Sequence, residues 1–387
     1  MDAIQALDRQ YVAGTYRRQD LELVSGKGSL FWSADGKQYI DLTGGIGVNS
    51  FGACDETWIQ AVTQQLSTLS HSSNLFYTQP AAQLAQLLCQ KTGMDKVFFS
   101  NSGAEANECA FKVARKYSAE KKGSDCYTIL TLENSFHGRT ITALSATGQD
   151  HYHRLFQPLT PGFLHVPAND TQALIQAVNQ HKIAGIALEC VQGEGGVLPL
   201  TAEFIQTAAA IAQQQDIPLI IDEVQTGNGR TGKFYAYMHY GIQPDLVSTA
   251  KGLGGGLPIG ATLMSAKVSS VLGPGDHGST YGGNPVACAG AISIVNRMDE
   301  AFLAEVTRRG DYIRSVLTGA PGVLSVTGLG LMIGIQTEKP AAEVVSACRE
   351  QGVLCLTAKT KVRLLPPLNI PMDLLMQAMD VLRSACL

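Results

Sequence analysis

The sequence contains no run of about 20 consecutive apolar residues, the length that a membrane-spanning helix needs. Residues 1–18 include acidic and polar side chains and no apolar stretch of the kind found at the centre of a signal peptide. These two absences predict a protein that is neither secreted nor anchored in a membrane. The expected location is therefore cytoplasmic.

The nine cysteines include no CxxC pair, and the eight histidines lack the spacing of a metal site. We therefore expect no bound metal, and we expect the cysteines to be reduced thiols that pack as small apolar residues. Lysine and arginine form no dense run, and the net charge is only −4. This balance gives no electrostatic reason to expect nucleic acid or a membrane surface as a partner.

What the sequence does contain is a series of short apolar runs that alternate with helical patterns. Continuous apolar strands between helices are typical of a mainly parallel sheet that is covered on both faces. After about residue 283 the pattern changes to helices mixed with short strand-like runs. The predicted fold class is α/β, with a large domain and a smaller α+β domain. The predicted strands of the large domain are 97–100, 127–132, 183–190, 218–224, 245–250 and 260–264.

Sheets of this kind bind ligands outside the carboxyl ends of their strands, so polar residues at those ends are candidates for function. Asp222 lies near the end of run 218–224, where a carboxylate is costly unless it is paired. By itself it could equally be a structural carboxylate. Lys251 follows run 245–250 and precedes the glycine-rich segment 252–256. Because the lysine comes before the glycines and no GxxxxGK[ST] pattern exists, this is not a phosphate loop of that type.

Two other strand ends carry candidate groups. Ser102 follows run 97–100 and opens a helix whose backbone N–H groups can bind an anion, although an ordinary helix cap has the same pattern. Phe136 and Arg139 follow run 127–132 and offer an aromatic face and a guanidinium group. Together with Asp222 and Lys251 they describe a ligand with a phosphate, an aromatic cationic ring and an aldehyde. Pyridoxal-5′-phosphate (PLP) has all of these groups.

Six motifs resemble those of the class III (ω-amino acid) aminotransferases of PLP fold type I, and within that family they are most similar to the acetylornithine-type enzymes. In chain order they are NSGAEANE (101–108), FHGRT (136–140), QGEGG (192–196), DEVQTGNGRTG (222–232), AKGLGGGLPIGA (250–261) and STYGGNP (279–285). The resemblance covers nearly the whole chain. It implies a large PLP-binding domain over 51–280 with a mainly parallel sheet, and a smaller α+β C-terminal domain over 281–387. An N-terminal segment, 1–50, is expected to pack with the smaller domain.

The resemblance also implies roles for the residues that face the cofactor. Lys251 would hold the cofactor covalently and, once substrate has released it, act as the general base. Asp222 would keep the ring nitrogen protonated, Gln225 would hydrogen-bond the phenolic oxygen, and Phe136 would stack on the ring. The residues expected to bind the phosphate are Ser102, Gly103 and Ala104.

A further contact to the phosphate is expected from the neighbouring subunit. Thr280, in the STYGGNP motif, resembles the residue that reaches the phosphate of the partner's cofactor. The implied assembly is a homodimer with shared active sites. By the same resemblance, Ser279 and Tyr16 are expected near the substrate.

Two arginines are expected to bind the substrates, because a guanidinium group suits a carboxylate. By resemblance, Arg139 binds the carboxylate far from the reacting carbon, and Arg363 binds the α-carboxylate of glutamate. Glu194 resembles the glutamate that pairs with Arg363 when a donor without that carboxylate is bound. This pair would then be a two-state gate, and a permanent structural ion pair is the alternative.

The implied reaction transfers the distal amino group of N2-acetylornithine to 2-oxoglutarate, in arginine biosynthesis. N-Succinylornithine, ornithine and 4-aminobutyrate remain alternative donors, since an apolar pocket discriminates such differences by only about 1–3 kcal/mol. A PLP protein without transaminase activity is a further alternative. Two positions depart from the family pattern: Cys190 stands where the family usually has proline, and 52–56 (GACDE) replaces a GHxHP element. Cys190 is either a reactive thiol or a packing substitution.

Overall fold

A computed structural model of the chain describes residues 3–387. Its helices vary from one irregular turn to 20 residues, and each of the long ones presents an apolar face to the core. They are α1 (Ala3–Tyr11), α2 (Gly44–Gly47), α3 (Glu56–Thr68), α4 (Gln79–Thr92), α5 (Gly103–Lys122), α6 (Ile141–Ala146), α7 (Thr171–Gln180), α8 (Ala202–Gln214), α9 (Pro285–Val295), α10 (Glu300–Leu317), α11 (Ala341–Glu350) and α12 (Met372–Cys386).

The strands are short, and those in the centre of the molecule are buried along their whole length. They are β1 (Leu23–Lys27), β2 (Leu30–Ser33), β3 (Gln38–Asp41), β4 (Lys96–Ser100), β5 (Thr128–Leu132), β6 (Phe163–Val166), β7 (Ile183–Leu188), β8 (Val191–Gln192), β9 (Leu198–Pro199), β10 (Leu219–Asp222), β11 (Leu246–Thr249), β12 (Gly260–Met264), β13 (Val323–Leu329), β14 (Met332–Thr337), β15 (Val353–Leu354), β16 (Leu356–Ala358) and β17 (Lys361–Leu364).

The central sheet has the order β4-β12-β11-β10-β7-β5-β6, and only β12 runs antiparallel to the rest. The predicted mainly parallel sheet and the α/β fold class are therefore confirmed. All six predicted strands are present, and their ends differ from the prediction by no more than two residues. The edge strand β6 was missed because its four residues, only one of them fully buried, are too few to show a clear apolar run.

The parallel arrangement brings the carboxyl ends of β4, β5, β7, β10 and β11 to one edge of the sheet. Asp222 is the last residue of β10, and Lys251 follows β11 by two residues. The segments after β4 and β5 lead directly into Ser102 and Phe136. The sheet topology therefore gathers residues from five separate parts of the sequence into one place.

The C-terminal part of the chain forms a second, smaller sheet with the order β13-β14-β17-β16. The N-terminal strands join the C-terminal part through β3, which pairs in parallel with β15, so that Ile40 lies opposite Val353. Helix α9 packs against α3 and α4 of the large domain. The boundaries at residues 50 and 280 remain predictions. Within residues 3–387, no helix combines the length and the apolar character required to cross a membrane.

Candidate active site

A cavity of about 490 Å³ opens at the carboxyl edge of the central sheet. Its volume is in the range of small-molecule sites in proteins. Nine of the residues predicted from the sequence line this cavity: Ser102, Gly103, Ala104, Phe136, Arg139, Glu194, Asp222, Gln225 and Lys251. Arg363 is not part of the cavity lining, but it donates hydrogen bonds to two of these residues, Glu194 and Gln225.

The carboxylate of Asp222 is almost completely buried and accepts three hydrogen bonds. Its Oδ2 atom accepts from Nδ2 of Asn107 at 2.7 Å and lies 2.8 Å from Nδ1 of His137, and its Oδ1 accepts from the Val224 amide at 3.0 Å. Asn107 in turn accepts a 2.6 Å hydrogen bond from the hydroxyl of Ser248. These contacts fix the orientation of the Asp222 carboxylate.

The side chain of His137 is buried and contacts Asp222 directly. Burial lowers the pKa of His137, but the hydrogen bond to Asp222 and the charges of Asp222 and Glu189 outweigh it, so the pKa is raised overall. Of the FHGRT motif, only Phe136 and Arg139 were predicted as site residues, and His137 was missed. The polar residues Asn107 and Ser248 were missed as well, because only the tertiary structure brings α5 and β11 against Asp222.

Lys251 has a strained backbone conformation. Its φ angle is 42°, in the left-handed region that residues with a side chain rarely adopt. Burial lowers the pKa of its amine, and the positive charge of Arg363 adds to this, while Glu194 and Asp222 oppose it. A lysine with a lowered pKa is a better nucleophile and base near neutral pH. Strain of this kind is found where function requires a particular side-chain direction.

The start of helix α5 forms one wall of the cavity. Ser102 caps the helix by accepting a 3.2 Å hydrogen bond from the Glu105 amide, and the Glu105 carboxylate accepts from the Asn101 amide. At Gly103, an added Cβ would lie 2.6 Å from a methyl group of Val224, which lines the same cavity. The backbone of the first helical turn therefore lies directly at the cavity wall.

Arg139 lies at the exposed mouth of the cavity. Its guanidinium carbon is 4.2 Å from the ring centroid of Tyr152 and 5.5 Å from that of Phe136. Within residues 3–387 it forms no hydrogen bond or ion pair with a carboxylate. Tyr152 belongs to a short 3-10 helix, Asp150–Tyr152, which lies outside the six motifs recognised in the sequence.

Arg363, in contrast, is buried and closed by an ion pair. Its Nη1 atom lies 2.6 Å from Oε1 of Glu194 and 3.3 Å from Oε1 of Gln225. Gln225 also donates a 3.3 Å hydrogen bond to Glu194 through Nε2. Burial raises the pKa of Glu194, but Arg363, Lys251 and Gln225 together lower it below its usual range. The pair predicted from sequence is thus present as a closed contact.

Glu189 is a carboxyl group of the cavity wall that sequence reasoning did not single out. Its Oε1 accepts a 2.8 Å hydrogen bond from the amide of Phe136, and Oε2 accepts from the Gly193 amide at 3.4 Å. Burial raises the pKa of this carboxyl, and the neighbouring charge of Asp222 adds to the effect. The residue therefore ties the loop that carries Phe136 to the loop that carries Glu194.

Besides Arg363, three predicted residues lie outside the cavity in the single chain. Ser279 accepts hydrogen bonds from Nδ2 of Asn101 and the Gly282 amide, one residue away from the cavity wall. Thr280 is exposed, and Tyr16 is 75 % exposed with its ring beside Arg18. Their expected roles remain predictions.

The two departures from the family pattern have structural explanations. Cys190 is completely buried, and burial raises the pKa of its thiol well above the usual value, which favours the packing interpretation over a reactive thiol. In the segment 52–56, Asp55 caps helix α3 through the Trp58 amide and forms a bidentate ion pair with Arg297. In this chain, Asp55 therefore stabilises the start of helix α3.

The residues present fit PLP by the chemistry of their polar groups. A helix N-terminus with an adjacent serine suits a phosphate. A buried carboxylate suits a pyridinium nitrogen, and a lysine with a lowered pKa suits an aldehyde. All three line one cavity, together with the ring of Phe136.

This sheet and this cavity are those of a class III aminotransferase. The family model described as "Aminotransferase class-III" matches residues 11–386, and the chain belongs to this family, whose members are PLP enzymes. The family predicted from the six motifs is confirmed, and the chain is an aminotransferase.

Within the family, the chain is 52% identical to an acetylornithine aminotransferase of Haemophilus ducreyi over 383 residues, 98% of each chain. Among solved structures, N-acetylornithine aminotransferase from Stenotrophomonas maltophilia matches with a TM-score of 0.85 and 32% identity, over 98% of this chain and 97% of that one. An ornithine aminotransferase from Toxoplasma gondii matches with a TM-score of 0.95 and 31% identity, over 99% and 94%. The fold is therefore shared between enzymes named for different donors, and the donor has to be argued from the site.

Proposed function

We propose that this chain transfers the terminal amino group of N2-acetylornithine to 2-oxoglutarate, which yields N-acetylglutamate semialdehyde and glutamate. The reaction would be a step of arginine biosynthesis. The likeness to enzymes named acetylornithine aminotransferase supports the donor. The observation that carries the proposal is the contrast between an open Arg139 and an Arg363 that is paired with Glu194 at 2.6 Å. One open guanidinium suits a donor with one carboxylate.

PLP, when bound, supplies an electron sink that stabilises negative charge on the substrate carbon. In our proposal, Lys251 would hold the cofactor through its aldehyde group and would move the proton at the reacting carbon, for which its lowered pKa is suited. Asp222, held by His137 and Asn107, keeps a proton on the ring nitrogen. Phe136 excludes water from one face, and Gln225 donates to the phenolic oxygen.

The phosphate would be held by the first turn of helix α5. Ser102, Gly103 and Ala104 would supply a hydroxyl group and backbone N–H groups, which the helix dipole favours for an anion. The remaining contact would come from Thr280 of a second copy of the chain. Ser279 and Tyr16 would complete the substrate side.

The two arginines would act in sequence on the two substrates. Arg139 would bind the carboxylate of N2-acetylornithine and then the γ-carboxylate of glutamate or 2-oxoglutarate. Arg363 would bind the second carboxylate only after Glu194 has moved away from it. Glu194 would therefore serve as a gate that keeps a buried guanidinium paired while a monocarboxylate donor is bound.

A homodimer is part of the proposal. The segment Leu75-Phe76-Tyr77 exposes three large apolar side chains, by 87%, 71% and 107%. An apolar cavity of about 310 Å³, lined by Leu257, Pro258 and Tyr281 among others, adjoins the active site. Contiguous exposed apolar surface is typical of a protein–protein interface. In a homodimer the same surface of a second copy of this chain would cover it. We further propose a cytoplasmic location and the domain division at residues 50 and 280.

The proposal is tested by a half-reaction without any 2-oxo acid. Purified PLP-loaded protein is mixed separately with N2-acetylornithine, N-succinylornithine, ornithine and 4-aminobutyrate, and loss of the visible absorption of the lysine-bound cofactor is followed. We expect the fastest conversion with N2-acetylornithine. Faster conversion with another donor would support the transaminase reaction but identify that amine as the donor. Bound PLP with no conversion by any donor would contradict the transaminase proposal for this chain.

A further inference from the structure

Arg139 is held by aromatic rings instead of by a carboxylate. Its guanidinium carbon lies 4.2 Å from the Tyr152 ring centroid, closer than the 5.5 Å to the Phe136 ring. The two rings meet edge to face at 5.9 Å, with 68° between their planes. A guanidinium group above an aromatic face is attracted by the ring electrons. The hydrogen-bonding edge of the guanidinium remains free for a ligand.

The ring of Tyr152 has a second aromatic neighbour. The His151 ring lies 3.8 Å away. The short helix Asp150–Tyr152 is anchored at both ends: Gln149, before it, donates a 3.0 Å hydrogen bond to the carbonyl of Ser135, and the His153 ring lies 2.9 Å from the carbonyl of Leu144. The segment that carries Tyr152 is therefore tied to the loop that carries Phe136.

Tyr152 does not line the cavity, and within residues 3–387 its hydroxyl forms no hydrogen bond. We infer that Tyr152 is a positioning residue that holds the Arg139 guanidinium in the orientation required by a donor carboxylate, and so contributes to the selection of amines that carry one. This inference rests on the proposed role of Arg139. It requires the aromatic face of Tyr152 and not its hydroxyl group.

The test compares two donors that differ only in the carboxylate. N-Acetylputrescine is N2-acetylornithine without its α-carboxylate, so it presents the same amine and the same acetyl group. The PLP-loaded wild type, Tyr152→Ala and Tyr152→Phe are each mixed with both donors. Tyr127→Ala removes a half-exposed tyrosine at the opposite end of strand β5 and serves as the matched control. The apparent second-order rate constant of conversion and the rate at saturation are recorded.

We expect Tyr152→Ala to lower the second-order rate constant for N2-acetylornithine about tenfold, the effect of losing one partly desolvated cation–π contact. The rate at saturation should stay within about twofold, because a positioning residue acts on binding. With N-acetylputrescine the rate constant should be unchanged. Tyr152→Phe, which keeps the ring, and Tyr127→Ala should behave as the wild type with both donors.

An equal loss with both donors in Tyr152→Ala would overturn the inference, since it would indicate general damage to the loop. An unchanged rate constant with both donors would overturn it as well. Failure of the proposed function would be recognised separately, in the wild type, as no conversion of N2-acetylornithine. The Tyr152 variants would then be compared on the donor that is converted and on the same amine without its carboxylate.

Discussion

The carboxylate of Glu194 lies 2.6 Å from the guanidinium of Arg363, whose side chain is only 5% exposed. This contact pairs Arg363 and leaves the guanidinium of Arg139, which lines the cavity, open. A buried arginine without a counter-charge is costly, so the carboxylate can leave only when another carboxylate replaces it. The first prediction follows from this exchange.

Glu194→Gln should change the two half-reactions in opposite directions. Without the competing carboxylate, Arg363 should bind the α-carboxylate of glutamate about tenfold more tightly, the effect of one hydrogen bond to a charged group. Conversion of N2-acetylornithine should slow, because the unpaired Arg363 then attracts the donor carboxylate away from Arg139. Both half-reactions are measured by the visible absorption of the cofactor. An equal loss in both would instead indicate a permanent structural ion pair.

Asn107→Ala should destabilise the folded protein. The change removes a donor to buried Asp222 and leaves the hydroxyl of Ser248 without its acceptor, so we expect a loss of about 1–3 kcal/mol in the free energy of unfolding. Urea unfolding of the PLP-loaded protein measures it. Asn179→Ala, in the exposed part of α7, is the control and should change that free energy by less than about 0.5 kcal/mol. Similar values for the two variants would contradict the importance of the buried contacts.

Glu223 should make the stability depend on pH. Burial raises the pKa of its carboxyl from 4.5 to about 7, although hydrogen bonds from Thr226 and from the amides of Ala236 and Tyr237 oppose this. Between these values the folded state binds more protons than the unfolded state, so this group's contribution to stability falls as pH rises from about 4.5 to 7.

Glu223→Gln should therefore gain stability relative to the wild type on going from pH 5 to pH 8, by on the order of 2–3 kcal/mol. The urea midpoints of both proteins across this range give the difference. Glu338→Gln, at an exposed position, should show no such trend. A constant difference between wild type and Glu223→Gln would show that Glu223 is already ionised in the folded protein at pH 5.

Thr280→Ala should weaken PLP binding about tenfold, if its hydroxyl contacts the phosphate across the interface. Mixed dimers test which subunit's site it serves. Lys251→Ala dimers should be inactive. A mixed dimer of one Lys251→Ala subunit and one Thr280→Ala subunit would contain one site with both changes and one intact site, and should recover wild-type PLP affinity in half of its sites. No recovery would mean that Thr280 acts within its own subunit.

Several features could be predicted from the sequence because they depend on local chemistry. The apolar runs that became β7, β10 and β11 are buried on both faces, and such strands show continuous apolar residues whatever surrounds them. Lys251 and Asp222 were identifiable because a charged residue at the end of a buried strand needs a reason to be there. The motifs then allowed the family to be recognised.

Other parts of the site follow from tertiary contacts that no local pattern shows. Tyr152 comes from a stretch that resembles a surface loop, yet its ring stacks on Arg139. Asn107 lies on a helix and Ser248 on a strand far away in sequence, and they meet only because α5 crosses β11 beneath Asp222. Glu189 differs from an ordinary glutamate only through the burial that raises its pKa.

The sequence by itself determined the alternation of strands and helices, the lysine and the acid at the ends of buried strands, and the family. The tertiary structure decided which arginine is open and which is paired, because Glu194 and Arg363 are 169 residues apart in the chain and their distance depends on how the two sheets pack. It also decided the electrostatic environment of Lys251 and Asp222. The pKa of Lys251 depends on burial and on nearby charged groups such as Glu194 and Arg363, which are distant from it in the sequence.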